Sequence, residues 1–316
     1  RVSLEVVTAG LQTLIEGAPR RGLRHVGVPA AGAADPLSLA LANRLVGNAL
    51  DAAGLEVSLA GATFRALETV DVAVTGASCS ITLDGRQAAM HRRLTVLSGA
   101  TLRLGPAESG ARAYIAVAGA VRAPDVLGSP STYAPARLGG LAGRALEAGD
   151  VLEIAGLPID AGADETPEPF RLTFLAAATL RAVAGEEFSL LEPEARDALF
   201  MERFRVGGRN DRMGVALEGR RLHVGSDGSL DSEPVVPGTV QCPEAGQLFV
   251  LGVDAQTTGG YPRIANIIRA DRSRIGQLRT GGALRFLERD PETAARELEA
   301  VHAFWSEWVP GIDALI

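Results

Sequence analysis

Short apolar runs, broken by Gly, Asp or Pro, set the rhythm of this chain. Residues 2–6, 71–75, 113–117 and 248–253 are β-branched or apolar, and their lengths and boundaries predict strands. One phrase occurs three times: Gly99-Ala100-Thr101-Leu102-Arg103-Leu104, Gly149-Asp150-Val151-Leu152-Glu153-Ile154 and Gly281-Gly282-Ala283-Leu284-Arg285-Phe286. Each reads as a turn glycine feeding an alternating strand. Many short strands at this spacing predict a mainly β protein of barrels or sandwiches with a few short helices, and not a series of βαβ units.

Three stretches change to a helical period. The first has Asp35 as N-cap and Pro36 at the first helical position, runs through Leu37, Leu41 and Leu45, and stops near Gly47-Asn48. A second covers about residues 194–204. The third opens at Asp290-Pro291 and places Ala294, Leu298, Val301, Trp305 and Trp308 on one stripe, which covers the core or meets a partner. Residues 157–169 are rich in Pro, Gly and acid and have no period, so they predict a linker or long loop. The expected organisation is an N-terminal barrel-like half over 1–156 and a C-terminal barrel-like half with its helix over 170–316.

Composition narrows the chemistry. All 31 basic residues are arginine, so a P-loop lysine, a Schiff-base lysine and a lysine carrying biotin or lipoate are excluded. A net charge of −7 with scattered arginines argues against nucleic acid as a partner. Cys79 and Cys242 are too few for a disulfide framework, and the four histidines are too dispersed for a zinc site, so no metal is expected. No apolar run approaches the roughly 18 residues of a membrane span, and the start lacks a signal-peptide core, so a soluble cytoplasmic protein is expected. The chain opens on Arg1 without an initiator Met, which suggests that residues upstream are missing.

Candidate chemistry gathers in a few loops. Asp254-Ala255-Gln256-Thr257-Thr258-Gly259-Gly260-Tyr261-Pro262 leads two hydroxyls and an amide into paired glycines; it reads as a tight corner or as an anion-binding concavity of peptide N–H groups. Arg20-Arg21-Gly22-Leu23-Arg24-His25 is a basic segment before the Asp35-capped helix, either a solvated loop or an anion site. Gly128-Ser129-Pro130-Ser131-Thr132 resembles a loop that wraps a polar group, and Asp211-Arg212 is a structural pair or a holder of a substrate carboxylate.

Taken in order, these segments resemble the biotin-dependent carboxyltransferase-like family, which includes the C component of 5-oxoprolinase, the sporulation protein KipA and the second component of allophanate hydrolase. The matching positions include Gly27-Val28-Pro29, Gly32 to Asp35, Ala42-Asn43, Glu56, Leu127 to Thr132, Asp211 to Gly214, Val235 to Gly238, Gln241, Gln256 to Pro262 and Gln277. The resemblance implies cyclophilin-like β-barrel units and work beside a smaller protein of related fold, of the KipI type or the type of the B component of 5-oxoprolinase. It also implies chemistry on a small amide or lactam, either ATP-dependent opening of 5-oxoproline or carboxyl transfer to urea. ATP is expected at the level of the complex, with no covalently bound cofactor. On this reading Arg20 and Arg212 hold a carboxylate or phosphoryl oxygen, Asp211 orients Arg212, and His25 is the acid or base. Thr257, Thr258, Gly259 and Gly260 stabilise an oxyanion, while Gln256, Tyr261, Asp35 and Asn43 shape the pocket. Two departures stand out: Glu16-Gly17-Ala18-Pro19-Arg20 lacks the aspartate of the family's Gln-Asp-x-Gly-Arg, and residues 175–180 replace a Pro-Gly-Pro segment. These favour an alternative, a non-catalytic binding protein of the KipA type; a carboxyltransferase component acting on urea is a third.

Overall fold

The computed structural model describes residues 2–225 and 230–316, and the chain divides into two compact units. The first comprises Arg1–Arg20, Ala31–Phe174 and Trp305–Leu315; the second comprises Arg21–Ala30, Leu175–Phe304 and Ile316. Both are built mainly from strands, as the apolar runs predict, and the few described helices are short apart from the last.

In the first unit, β1 (Ser3–Thr8), β2 (Gln12–Glu16), β3 (Gly54–Ser58), β4 (Thr63–Ala66) and β9 (Val151–Glu153) join a sheet around the long β8 (Thr101–Val117), in the order β2-β3-β8-β4-β1-β9. The equally extended β5 (Val70–Leu83) pairs with β8, with β6 (Arg86–Ala88) and with β7 (Arg93–Val96). The β5 and β8 ladder runs antiparallel from Val72 opposite Val117 to Leu83 opposite Leu102, with register shifts between Gly76 and Ile81. Val72, Val74, Ile81, Leu102, Leu104, Ile115 and Val117 bury one apolar face. Against this sheet lies α1 (Pro36–Leu45), where the Asp35 carboxylate accepts from Ser38 N at 3.1 Å and Ser38 Oγ at 2.5 Å, as the cap and Pro36 predict.

The expected linker is not free. Ile159 N donates to Gly47 O at 2.7 Å, Ala163 N to Leu45 O at 3.1 Å, and Thr166 N to His91 O at 2.8 Å. These bonds hold residues 157–169 against α1 and the strand ends, and the division between units falls at Phe174 and Leu175 instead. Residues 21–30 and 305–315 each belong to the unit opposite to their sequence neighbours, which a single cut cannot describe.

The second unit is a closed barrel in the order β10-β17-β14-β15-β12-β11-β18. Its staves are β10 (Ala177–Ala184), β11 (Phe204–Asn210), β12 (Gly214–Glu218), β14 (Thr239–Gln241), β15 (Phe249–Leu251), β17 (Arg263–Ile267) and β18 (Ala283–Glu288). Closure comes from the one parallel pairing of the ring, β10 with β18. Closing the sheet removes its edges and lets Leu180, Phe204, Val215, Val240, Ile264 and Phe286 fill the interior. Beside the ring, β13 (Glu233–Pro234) pairs with β16 (Thr258–Gly259). The repeated phrase is confirmed as a turn device, since Gly99, Gly149 and Gly281 have φ of 82°, 92° and 87° just before β8, β9 and β18.

The remaining helices are α2 (Pro193–Met201), α3 (Arg272–Ile275) and α4 (Pro291–Ser306). α2 ends earlier than expected because Phe204 already starts β11. The α4 stripe is half-buried along most of its length and fully buried at Trp305, whose ring stands 5.7 Å from Phe170 while Trp308 stacks on the same ring at 6.0 Å. No described helix is long and apolar enough to cross a membrane.

Candidate functional site

The loop singled out by its glycines lies in the second unit and forms a ladder, not a nest. Glu233 pairs with Gly259 and Pro234 with Thr258, and Val235 N donates to Thr257 O at 3.0 Å. Neither Gly259 nor Gly260 has a positive φ. Close approach, not φ, sets these positions apart: a Cβ on Gly259 would lie 2.7 Å from the end of the Gln241 side chain at Nε2, and one on Gly260 would lie 2.8 Å from the backbone Leu230 O. Thr257 is buried, whereas Gln256, Thr258 and Tyr261 are exposed along one side of the ladder.

Next to this ladder, the turn at residues 235–238 is ringed by donors. Arg24 Nη2 donates to Val235 O and, at 3.3 Å, to Gln256 O, leaving its buried Nη1 without a hydrogen-bond partner. Arg272 Nε is also buried and unpartnered, and a Cβ on Gly238 would stand 3.3 Å from it. Gln241 is 2% exposed, and its Nε2, aimed at Gly259, has no acceptor. Burial pushes the pKa of both guanidinium groups down, and the charges of Arg269 and Arg24 add to the effect at Arg272. A buried donor left unmade costs about 1–3 kcal/mol, so a cluster of them is expensive unless an acceptor arrives.

The other candidates in this unit are already engaged. Arg212 is held bidentately by Asp254, with Nε to Oδ2 at 2.8 Å and Nη2 to Oδ1 at 2.9 Å, and both side chains are buried. Asp211, expected to orient Arg212, instead caps its own turn by accepting from Met213 N at 2.8 Å and Gly214 N at 3.1 Å. Asp254 takes the orienting role because the turn at 211–214 faces it across the 252–254 backbone, where Asp254 N donates to Arg212 O. His25 is exposed within the short turn Arg24–Val26.

Arg20, Asp35 and Asn43 belong to the first unit and serve its architecture. Arg20 is fully buried, donating from Nε to Val126 O at 3.1 Å and from Nη2 to Ser131 O. The Ser129 and Ser131 hydroxyls donate to Ala18 O at 2.5 and 3.1 Å and Thr132 Oγ1 donates to Ile15 O at 2.9 Å, so the polar group this loop wraps is the chain itself. Gly17 leaves no room for the missing aspartate, since a Cβ there would sit 3.0 Å from Asp51 O. Asn43 donates to Leu50 O and Ala52 O and accepts from Asn48, which fixes the end of α1.

Sequence reasoning named Glu56 without giving it a role, and it missed Tyr114. The Tyr114 hydroxyl donates to Glu56 Oε2 and accepts from Asp35 N, each at 2.8 Å; Glu56 also accepts from Ala34 N at 2.8 Å and pairs with Arg112 at 3.3 Å. Burial and the neighbouring carboxylates of Glu56 and Asp35 push the phenol pKa well up. Arg272 and Gln241 were not placed in the site by sequence reasoning; Gln241 carried a signal through its family-like position, Arg272 none.

The chain resembles known proteins over most of its length. The model of the carboxyltransferase domain, subdomain A and B, matches residues 26–288. The chain is similar to the C component of 5-oxoprolinase from Escherichia coli, with 36% identity over 293 residues that cover 93% of each chain. The corresponding C component from Haemophilus influenzae is 32% identical and is covered to 90%. Among solved structures, the urea carboxylase of Kluyveromyces lactis superposes with a TM-score of 0.91 at 26% identity over 98% of this chain, which spans only 29% of that longer protein.

Proposed function

Because the chain belongs to the family of the carboxyltransferase domain, subdomain A and B, we propose that it is one component of an ATP-dependent, 5-oxoprolinase-type complex that opens a small cyclic amide. The end-to-end correspondence with the C component of 5-oxoprolinase carries this reading, since the urea-directed relative holds the same architecture only as a fraction of a longer chain. The partner is a smaller protein of related fold, of the KipI type or the type of the B component of 5-oxoprolinase. ATP enters as a substrate of the assembled complex, because this chain has no lysine and no glycine-rich phosphate loop ending in one. Its thiols are unpaired, consistent with work in the cytoplasm.

Opening a lactam places negative charge on the carbonyl oxygen as the nucleophile adds, and the ring nitrogen takes up a proton as the C–N bond breaks. Donors fixed before the reaction stabilise that charge without reorganisation. We assign that role to side-chain donors along the ladder at 257–260, foremost the exposed Thr258 hydroxyl. Gln256 and Tyr261 border the same ladder, and His25 is the candidate for moving the proton. Co-expression with the smaller partner is expected to give a complex that consumes ATP only when 5-oxoproline is added; a verified complex whose ATP consumption ignores the lactam contradicts the assignment.

One observation favours a second reading, a regulatory binding protein of the KipA type. The two carboxylates at the Arg212 turn are committed, Asp254 to Arg212 and Asp211 to its own turn, which leaves neither as a general base. Recovery of a kinase inhibitor on the immobilised chain, together with no turnover in the assembled complex, selects that reading.

A further inference from the structure

Around the turn at 235–238, three buried donor atoms lack an acceptor. Arg24 is fixed by two carbonyls through Nη2 alone, so its orientation is set while Nη1 is left over. Arg272, at the start of α3, lies against the bare Cα of Gly238, and Gln241 lies against that of Gly259. Each atom of the group that lacks a partner is an N–H donor. Among the described residues, no carboxylate is paired with Arg24 or Arg272, although the Arg24 charge is close enough to lower the pKa of Arg272. The contrast with Arg212 is chemical: its fork is filled by Asp254, so it has no comparable vacancy for an incoming anion.

We infer that Arg24, Arg272 and Gln241 form a seat for the carboxylate of a small acid amide, and that this seat selects amides bearing a carboxylate over neutral ones such as urea. The inference rests on the small-amide reading above and adds the residues that set its specificity. Guanidinium nitrogens match carboxylate oxygens in plane and spacing, and charge-assisted bonds formed away from water are the strong ones. A neutral urea would leave both half-buried guanidinium charges uncompensated and gain little from them.

The test is calorimetric titration of the full chain, alone and in complex with its smaller partner, with 5-oxoproline, with pyrrolidinone (the same ring without the carboxylate), with urea and with inorganic phosphate. The expected order is 5-oxoproline binding at least about 10-fold more tightly than the others, with Arg24→Gln and Arg272→Gln each weakening it by about 10-fold and leaving pyrrolidinone unchanged. Equal binding of pyrrolidinone and 5-oxoproline overturns the seat, and this comparison needs no variant to fold. Phosphate binding as tightly as 5-oxoproline overturns the carboxylate assignment. Selective 5-oxoproline binding without lactam-dependent ATP consumption keeps the seat and removes the proposed reaction; ATP consumption driven equally well by pyrrolidinone keeps the reaction and removes the seat.

Discussion

The cluster of Asp35, Glu56 and Tyr114 in the first unit and the donor-ringed turn in the second both bury polar side chains, but they balance them in opposite ways. In the first, Tyr114 both donates and accepts, Glu56 accepts from an amide and a phenol and is ion-paired with Arg112, and Asp35 takes the Ser38 amide and hydroxyl. In the second, Arg24 Nη1, Arg272 Nε and Gln241 Nε2 share no acceptor. A closed ledger of donors and acceptors holds a fold together, whereas a surplus of one kind leaves work for a ligand. Burial alone does not separate the two, since Glu56 and Gln241 are both almost wholly buried.

The largest expected effect comes from breaking the balanced cluster. Glu56→Ala removes the acceptor of the Tyr114 hydroxyl and the ion-pair partner of Arg112 and is expected to cost about 3–5 kcal/mol in denaturant unfolding; a loss under about 1 kcal/mol removes the structural role. Asp254→Ala removes the bidentate carboxylate from buried Arg212 and is expected to cost about 3 kcal/mol, several times the cost of Asp211→Ala, which removes only an exposed turn cap. Equal costs for the two would mean that Arg212 is oriented by its sequence neighbour after all.

A lone unmatched atom sharpens the contrast. Burial, helped by the Arg171 charge, lowers His91 from its ordinary 6.5 to about 4, and its Nδ1 has no partner. The unfolded chain therefore takes up this proton first as pH falls. The His91 contribution is level above about pH 6.5 and becomes destabilising between 6.5 and 4, by up to about 1.4 kcal/mol per pH unit. His91→Asn, which tolerates the φ of 59°, is expected to flatten the fall in melting temperature across that window; an unchanged slope places the titration elsewhere. The smallest effect is expected at the donor-rich turn, where Arg272→Gln removes no satisfied side-chain bond and should change stability by less than about 1 kcal/mol. A cost above about 3 kcal/mol would show that Arg272 is structural.

Local chemistry was the legible part of this molecule. The Asp35 cap with Pro36, the three turn glycines and the barrel-forming strand runs were readable because each depends on residues a few positions apart. The long strands β5 and β8 were legible only in pieces, since Gly76, Gly105, Pro106 and Gly110 interrupt their pattern and only the pairing partner restores continuity. The role of Gly259 was misjudged for the same reason: what it avoids is Gln241, eighteen positions away, and not a strained φ. Arg20 and Arg212 looked equivalent as guanidinium forks, and their difference from Arg24 and Arg272 lies entirely in partners distant in sequence.

The most direct measurement is a crystal structure of the chain with 5-oxoproline bound. The carboxylate oxygens are expected about 3 Å from Arg24 Nη1 and Arg272 Nε, with Gln241 Nε2 also donating to the ligand. A ligand held instead by the Glu56 and Tyr114 cluster, with the donors at the 235–238 turn left empty, would contradict the proposed seat.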